Sequence, residues 1–329
     1  MAASDQKDTE IKDIPDIPKQ IIVAARSGRL VLFIGAGVSR IIGCPSWDEF
    51  AHLQLKDLYE KRAINYYEYT NLKSLDARKL LSICRRIYEE KNMQPPSMKS
   101  LLAGKDNLLK RFTIYDDLYS FNAVYVTTNY EDYLDKVAQK SITKPTSIAQ
   151  TSTAQDAAEK EIPQGKIIHS KEQLLISNLS NGSIIHLHGS IHDEGSTIVT
   201  IIDYMKHYEH GSNPVVLLEE IFKAYTVLFV GYGLEEYEIL EFMISKSYTS
   251  KGEVKHFMLY PVFRREINLL DFSRKYYRDL GIQLVPYPID ENGYEHLASI
   301  VHEWAKQIGP ISQPQGFLEK IKLIDEIVS

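Results

Sequence analysis

Asn129 and His188 are the two side chains whose type and placement best suit chemistry. Asn129 closes the run AVYVTTN (123–129), and His188 lies near the end of SIIHLHG (183–189). Asparagine offers a donor and an acceptor at every pH, and histidine is the side chain that titrates near neutrality. Other apolar runs end in similar equipment. LVLFI (30–34) leads into Gly35-Ala36-Gly37-Val38-Ser39, and Thr127-Thr128 precedes Asn129. TIVTII (197–202) leads into Asp203-Tyr204, and TVLFV (226–230) into Gly231-Tyr232-Gly233. No cluster of carboxylates joins these groups, which disfavours a glycosidase or a two-metal hydrolase. His186 and His188 alternate along a strand and so point the same way, a spacing that suits a metal. We see no third Cys, Asp or Glu to complete such a site, so no metal is expected and His186 is read as packed or hydrogen-bonded. Asp203 also has a plain reading, as a helix N-cap.

The glycine turn at 35–37 leaves two readings open. A buried strand that ends in glycines lets a backbone approach something closely, and in α/β proteins that partner is often a nucleotide pyrophosphate. The other reading is a tight strand-to-helix turn with no ligand.

The elements that must hold these residues follow from periodicity. KQIIVAARSG carries a helical stripe, Ile21, Ile22 and Ala25, with Gly28 as its stop. Ser46 and Glu49 have the spacing of a capping box, and Trp47, Ala51, Leu55 and Leu58 recur at helical spacing, which places Trp47 in a core rather than on a ligand. Residues 62–120 contain no convincing strand and read as a helical insertion, with Cys84 on an apolar stripe beside Leu80, Ile83 and Ile87. Strands are predicted at 30–34, 123–129, 183–189, 197–202, 226–233, 254–260 and 281–287, with helices over 264–280 and 293–307. The stretch 134–182 reads as loops with one short helix. Strands alternating with helices predict an α/β protein with a Rossmann-like, mostly parallel sheet covered by helices on both faces. Ligands of such sheets collect outside the carboxyl ends of the strands, where the residues above lie. Residues 1–19 read as a loose N-terminal arm and 20–308 as one domain. In a tail at 309–329, Phe317, Ile321, Ile324 and Ile327 form a helical stripe that packs back on the domain.

Composition bounds the function. The 329 residues are 44% hydrophobic and 25% charged, ordinary for a soluble globular protein. A net charge of −6 speaks against direct nucleic-acid binding. No apolar run has the length of a membrane span, the N-terminus is not signal-like, and two cysteines build neither a disulfide framework nor a four-cysteine zinc site. A cytoplasmic protein is expected.

Taken in order, Gly35-Ala36-Gly37-Val38-Ser39, Thr127-Thr128-Asn129-Tyr130 and His188-Gly189 resemble the sirtuin (SIR2) fold. Asp203-Tyr204 and Gly231-Tyr232-Gly233-Leu234 resemble its SIR2-like branch in bacterial anti-phage defence effectors. The resemblance covers roughly residues 20–305. It implies that Gly35, Ala36 and Gly37 approach the diphosphate of NAD, that the Ser39 hydroxyl helps, and that Thr128, Asp203, Gly231, Tyr232 and Gly233 complete the NAD site. It also implies that Asn129 and His188 act on the nicotinamide ribose. Sirtuin deacylases carry a zinc module and a segment Pro-Asp-Phe-Arg; this chain has the helical insertion about 62–120 in that place and reads Cys44-Pro45-Ser46-Trp47. Glu131 stands where the family usually has aspartate, and Glu235-Glu236 where Gly-Asp or Ser-Asp is more common. The resemblance thus implies an NAD+ glycohydrolase with NAD as substrate and no zinc, depleting NAD in abortive infection. The alternatives are an NAD-dependent protein-lysine deacylase and a sensor of NAD or ADP-ribose without turnover. It further implies a homo-oligomer and control by a partner, such as a HerA-like ATPase, a short Argonaute or an additional C-terminal domain.

Overall fold

The computed structural model describes residues 11–143, 165–233, 239–240, 243 and 254–312. The chain opens with α1 (Lys19–Arg26), β1 (Leu30–Ile34) and α2 (Ala36–Ile41). A helical run follows: α3 (Trp47–Glu60), α4 (Tyr66–Leu72), α5 (Ala77–Glu90), α6 (Met98–Leu101), α7 (Asp106–Arg111) and α8 (Ile114–Tyr119). Next come β2 (Val124–Thr127), α9 (Tyr133–Thr143), β3 (Ile167–Ile168), β4 (Ile184–His186), α10 (Ile201–His207), α11 (Asn213–Ala224) and β5 (Thr226–Val230). The described chain closes with β6 (His256–Val262), α12 (Ile267–Asp279), β7 (Ile282–Pro288) and α13 (His296–Ser312).

The strands form one sheet in the order β3-β4-β2-β1-β5-β6-β7, and every described pair is parallel. β1 shows why the sheet is covered on both faces. Leu30, Leu32 and Ile34 enter one apolar cluster and Val31 and Phe33 the other, so alternation sends the strand's side chains into two cores. From β1 the chain moves to β2 on one side and later resumes at β5 on the other. This reversal is the switch point at which such sheets open a crevice.

The helical insertion holds as a layer with a core of its own, but its limits differ from 62–120. Phe50, Leu55 and Leu58 of α3 pack with Leu80, Leu81 and Cys84 of α5, whereas Ile114 and Leu118 of α8 join the main core. The Ser46–Glu49 capping box is formed: Ser46 N–H donates to Glu49 Oε2 at 2.6 Å and Glu49 N–H to Ser46 Oγ at 3.2 Å. Trp47 stacks between Phe50 and Tyr130, with ring centroids at 5.7 and 5.8 Å. Both cysteines are buried, and burial pushes each thiol up to about 12, so neither supplies a thiolate.

Three expectations are corrected. Residues 197–202 are not a strand: 197–199 are irregular and α10 starts at Ile201. Thr200 caps that helix, its Oγ1 accepting from Asp203 N–H at 3.2 Å, and this cap overrides the β-branched composition. The edge place beyond β4 is taken instead by β3, a two-residue strand that periodicity could not reveal. The N-terminal arm is not loose over residues 11–18. Trp304 Nε1 donates to Pro15 O at 2.8 Å and Arg264 Nη1 to Ile11 O at 2.7 Å, which ties the arm to both halves of the C-terminal region. The tail stripe from Phe317 to Ile327 and the pair Glu235-Glu236 lie outside the described residues.

Candidate functional site

The turn after β1 is held against the turn after β5. Gly35 N–H donates to Val230 O at 3.0 Å and Gly37 N–H to Gly231 O at 2.8 Å. A Cβ on Gly35 would lie 2.5 Å from Gly231 O, and one on Gly37 would lie 2.7 Å from the same atom. Gly231, at φ +60°, would itself meet Val38 N at 2.6 Å. These glycines are required by backbone packing within the fold, whatever binds outside it. Gly37 has no positive φ; the left-handed residue of the group is Gly231. Ala36 is exposed at the tip of the turn.

Asn129 lies just beyond β2 and is buried. Its Nδ2 donates to Gly35 O at 3.0 Å and to Ser39 Oγ at 2.8 Å, with Glu131 Oε1 at 3.4 Å. Because the Gly35 carbonyl only accepts, the amide orientation is settled by chemistry. Its Oδ1 accepts no hydrogen bond among the described residues. Ser39 is fully engaged from below, donating to Glu131 Oε1 at 2.7 Å, and Tyr115 Oη donates to the same oxygen at 2.5 Å. Glu131 Oε2 is buried and has no partner among the described residues. Burial raises the Glu131 carboxyl above its ordinary range, although the Tyr115 and Ser39 hydrogen bonds oppose the shift.

His188 lies beyond β4 at the same level. The register pairs Thr127 with His186, and Asn129 and His188 each lie two residues further on. His188 is 1% exposed and its Nε2 is 2.7 Å from Tyr208 Oη. Its ring meets Tyr204 edge-on at 5.1 Å, and Arg78 of the insertion lies 4.0 Å over that tyrosine. Burial, then the neighbouring His207 and Arg78, hold His188 well below the ordinary histidine range, so the ring is neutral. Burial pushes His207 down to about 4.

The two alternating histidines do not share partners. His186 Nδ1 is 3.2 Å from Asn129 O and its Nε2 is 2.9 Å from Asp135 Oδ1. Both partners are acceptors, so both nitrogens donate and the ring is cationic. Burial would lower this histidine, but the Asp135 carboxylate outweighs it and raises the value. Breaking such a buried pair by removing one partner costs about 3–5 kcal/mol.

Residues 123–285, which contain both strand ends, match a family model described as SIR2-like domain. These residues are similar to a SIR2-like domain. It is also 23% identical over 297 residues to defense-associated sirtuin 2 of Bacillus subtilis, covering 85% of this chain and 25% of that protein. The chain thus spans about a quarter of the length of that curated relative.

The fold brings together Gly35, Ala36, Gly37, Ser39, Thr128, Asn129, Gly231 and Tyr232 around the ends of β1, β2 and β5, with His188 beyond β4 beside β2. Gly233 is exposed just past them, and Tyr232 packs its ring against Phe33 and Phe229 at 5.0 and 5.8 Å. Two of the expected site residues also have partners within the fold. The Ser39 hydroxyl is buried between Asn129 and Glu131. Asp203 accepts from Thr200 N–H at 2.8 Å and from Arg85 Nη1 at 2.6 Å, so its carboxylate caps α10 and clasps the insertion. A hollow of about 520 Å³, lined by residues including Tyr59, Arg62 and Asn65, opens on the insertion and touches none of these groups. Sequence reasoning missed Tyr115 of α8, Arg78 of α5 and Tyr208 just after α10, which lie in no motif. It also missed the join of Asp135 and His169 to His186, which lie within hydrogen-bond or near ion-pair range of one another.

Proposed function

We propose that this domain is an NAD+ glycohydrolase that cleaves NAD+ with water to nicotinamide, ADP-ribose and a proton, as an NAD-depleting effector of anti-phage defence. The defence role rests on the name of the Bacillus subtilis relative, and NAD as substrate on the SIR2-like family. One observation supports the chemistry above the rest: the Asn129 amide is pinned through Nδ2, leaving Oδ1 as an acceptor beside the glycine turn. The nicotinamide of NAD+ is already cationic, so its departure needs no general acid. What helps is an oriented ribose and a water held against C1′. Asn129 Oδ1 accepts from that water or from a ribose hydroxyl. Neutral His188 is a weak base, so its part is to hydrogen-bond the ribose rather than to carry the water's proton. The glycines fit a diphosphate only along the exposed face of the turn at Ala36, because their inner face is filled by Gly231.

The test is incubation with NAD+ and no acylated peptide, followed by chromatography of the products. Nicotinamide and ADP-ribose released by the wild type and not by Asn129→Ala support the reading. A strict requirement for an acylated-lysine peptide assigns a deacylase, and NAD+ recovered intact after tight binding assigns a sensor.

A further inference from the structure

A second cluster of chemical groups lies behind Asn129, on the side of β4 and β3. One ligand atom from each of Asp135, His169 and His186 lies within 4.8 Å of the others. Asp135 is 1% exposed, and its Oδ2 has no hydrogen-bond partner among the described residues. That oxygen is 3.9 Å from His169 Nε2 and 3.9 Å from His192 Nε2, too far to bond either directly. A buried carboxylate oxygen left unpaired between imidazole nitrogens is costly unless something positive joins them.

The outer contacts aim these nitrogens inward. Ser190 Oγ is 2.8 Å from His169 Nδ1 and accepts from His192 N–H at 3.2 Å, so one buried hydroxyl positions two of the histidines. His186 Nδ1 donates to Asn129 O, which turns its Nε2 toward Asp135. A hydrogen bond from one ring nitrogen to a backbone carbonyl, which fixes the ring and leaves the other nitrogen for an ion, is the usual support of a histidine metal ligand. His192 is about half exposed at the outer edge, and its Nε2 also lies 3.4 Å from Asp132 Oδ2.

From these contacts we infer a site for one divalent transition ion of the zinc class, with Asp135, His169 and His186 as ligands and His192 as the fourth. Tetrahedral donors at about 2 Å from zinc stand about 3.3 Å apart, so small rotations of these side chains complete the shell. Three imidazoles and a carboxylate suit zinc, cobalt or nickel better than magnesium or calcium. On binding, the ion takes the place of the His186 Nε2 proton, which leaves to solvent as His186 changes from imidazolium to neutral ligand. The ion would tie α9 to the ends of β3 and β4 and, through His186, steady the Asn129 backbone. The site rests on its own geometry and holds whether or not the domain cleaves NAD+.

The experiment uses the untagged full chain, dialysed against a chelator and titrated with Co2+ alone. We expect one equivalent bound with the intense visible bands of a tetrahedral centre, displacement by Zn2+, and a rise in melting temperature. Asp135→Asn also breaks the pair with His186 and is expected to lower folding yield, so His169→Asn, a half-buried rim position, carries the test. It should weaken Co2+ binding beyond the roughly 10–100-fold typical of an outer-shell change, and Ser190→Ala by about that amount. Co2+ that stays in its octahedral aqueous form, or binds His169→Asn as tightly as the wild type, overturns the site.

Discussion

The side-chain amide of Asn129 donates to the carbonyl oxygen of Gly35 at 3.0 Å, so the end of β2 is bonded to the turn after β1. The residue best suited to the reaction is therefore also a tie between two strand ends. Its substitution cannot be silent in the fold.

Asn129→Ala should abolish nicotinamide release and also destabilise the protein by about 1–3 kcal/mol, since the Ser39 hydroxyl and the Gly35 carbonyl each lose a buried partner. Product chromatography and urea denaturation read the two effects separately. Near wild-type turnover would remove Asn129 from the mechanism.

Gly37→Ala should lower stability by about 1–3 kcal/mol even without NAD+, because the added methyl meets the carbonyl of Gly231 with nowhere to go. Thermal melting in the absence of ligand checks this. Unchanged melting together with weakened NAD+ affinity would instead assign the glycine to the ligand.

Turnover of the wild type should stay flat as pH falls from 8 to about 6, because buried His188 remains neutral through the ordinary histidine range. His188→Gln, which keeps a hydrogen-bonding side chain, should lose well under the 10²–10⁴-fold typical of a lost general base. Tyr208→Phe, which removes the hydroxyl from His188 Nε2, should shift KM more than kcat. An acid limb centred near pH 6.5 in the rate profile, absent in His188→Gln, would make His188 a general base instead.

Acid should unfold the protein early. His207 is held down to about 4 and His256 to about 3, chiefly by burial, and His188 is depressed as well. Each binds its proton in the unfolded chain near pH 6.5 but not in the fold, so the stability it contributes is intact above that pH. This stability drains away as pH falls toward the folded values, by about 1.4 kcal/mol per unit for each histidine. His186 and Glu131, whose values are raised, act in the opposite sense and offset part of the loss. Urea midpoints measured from pH 7 to pH 5 should therefore fall steadily; a constant midpoint would mean that these rings are solvated.

Much of the architecture was legible in the sequence because it depends on local periodicity. Six of the seven strands lie within or across the apolar runs that announced them, since buried parallel strands must be apolar on both faces. The helical insertion showed itself by stripes at helical spacing, and the capping box at Ser46 by two residues alone. The run at 197–202 misled because a cap made by Thr200 and Asp203 outweighs the β preference of its neighbours, and β3 was too short to carry a period.

For the site, the sequence determined which side chains stand at the strand ends: Asn129, His188 and the glycines of two turns. Only the tertiary structure decided what those groups touch. Gly35 and Gly37 face Gly231 across almost two hundred residues of chain, Ser39 meets Glu131 beneath Asn129, and Asp203 clasps Arg85. Asp135, His169 and His186 come from a helix start and the ends of β3 and β4, so no spacing along the chain could announce them. Local pattern sets which face of an element is buried, but partners across the sheet are chosen by strand order and register, which arise only when the whole chain packs.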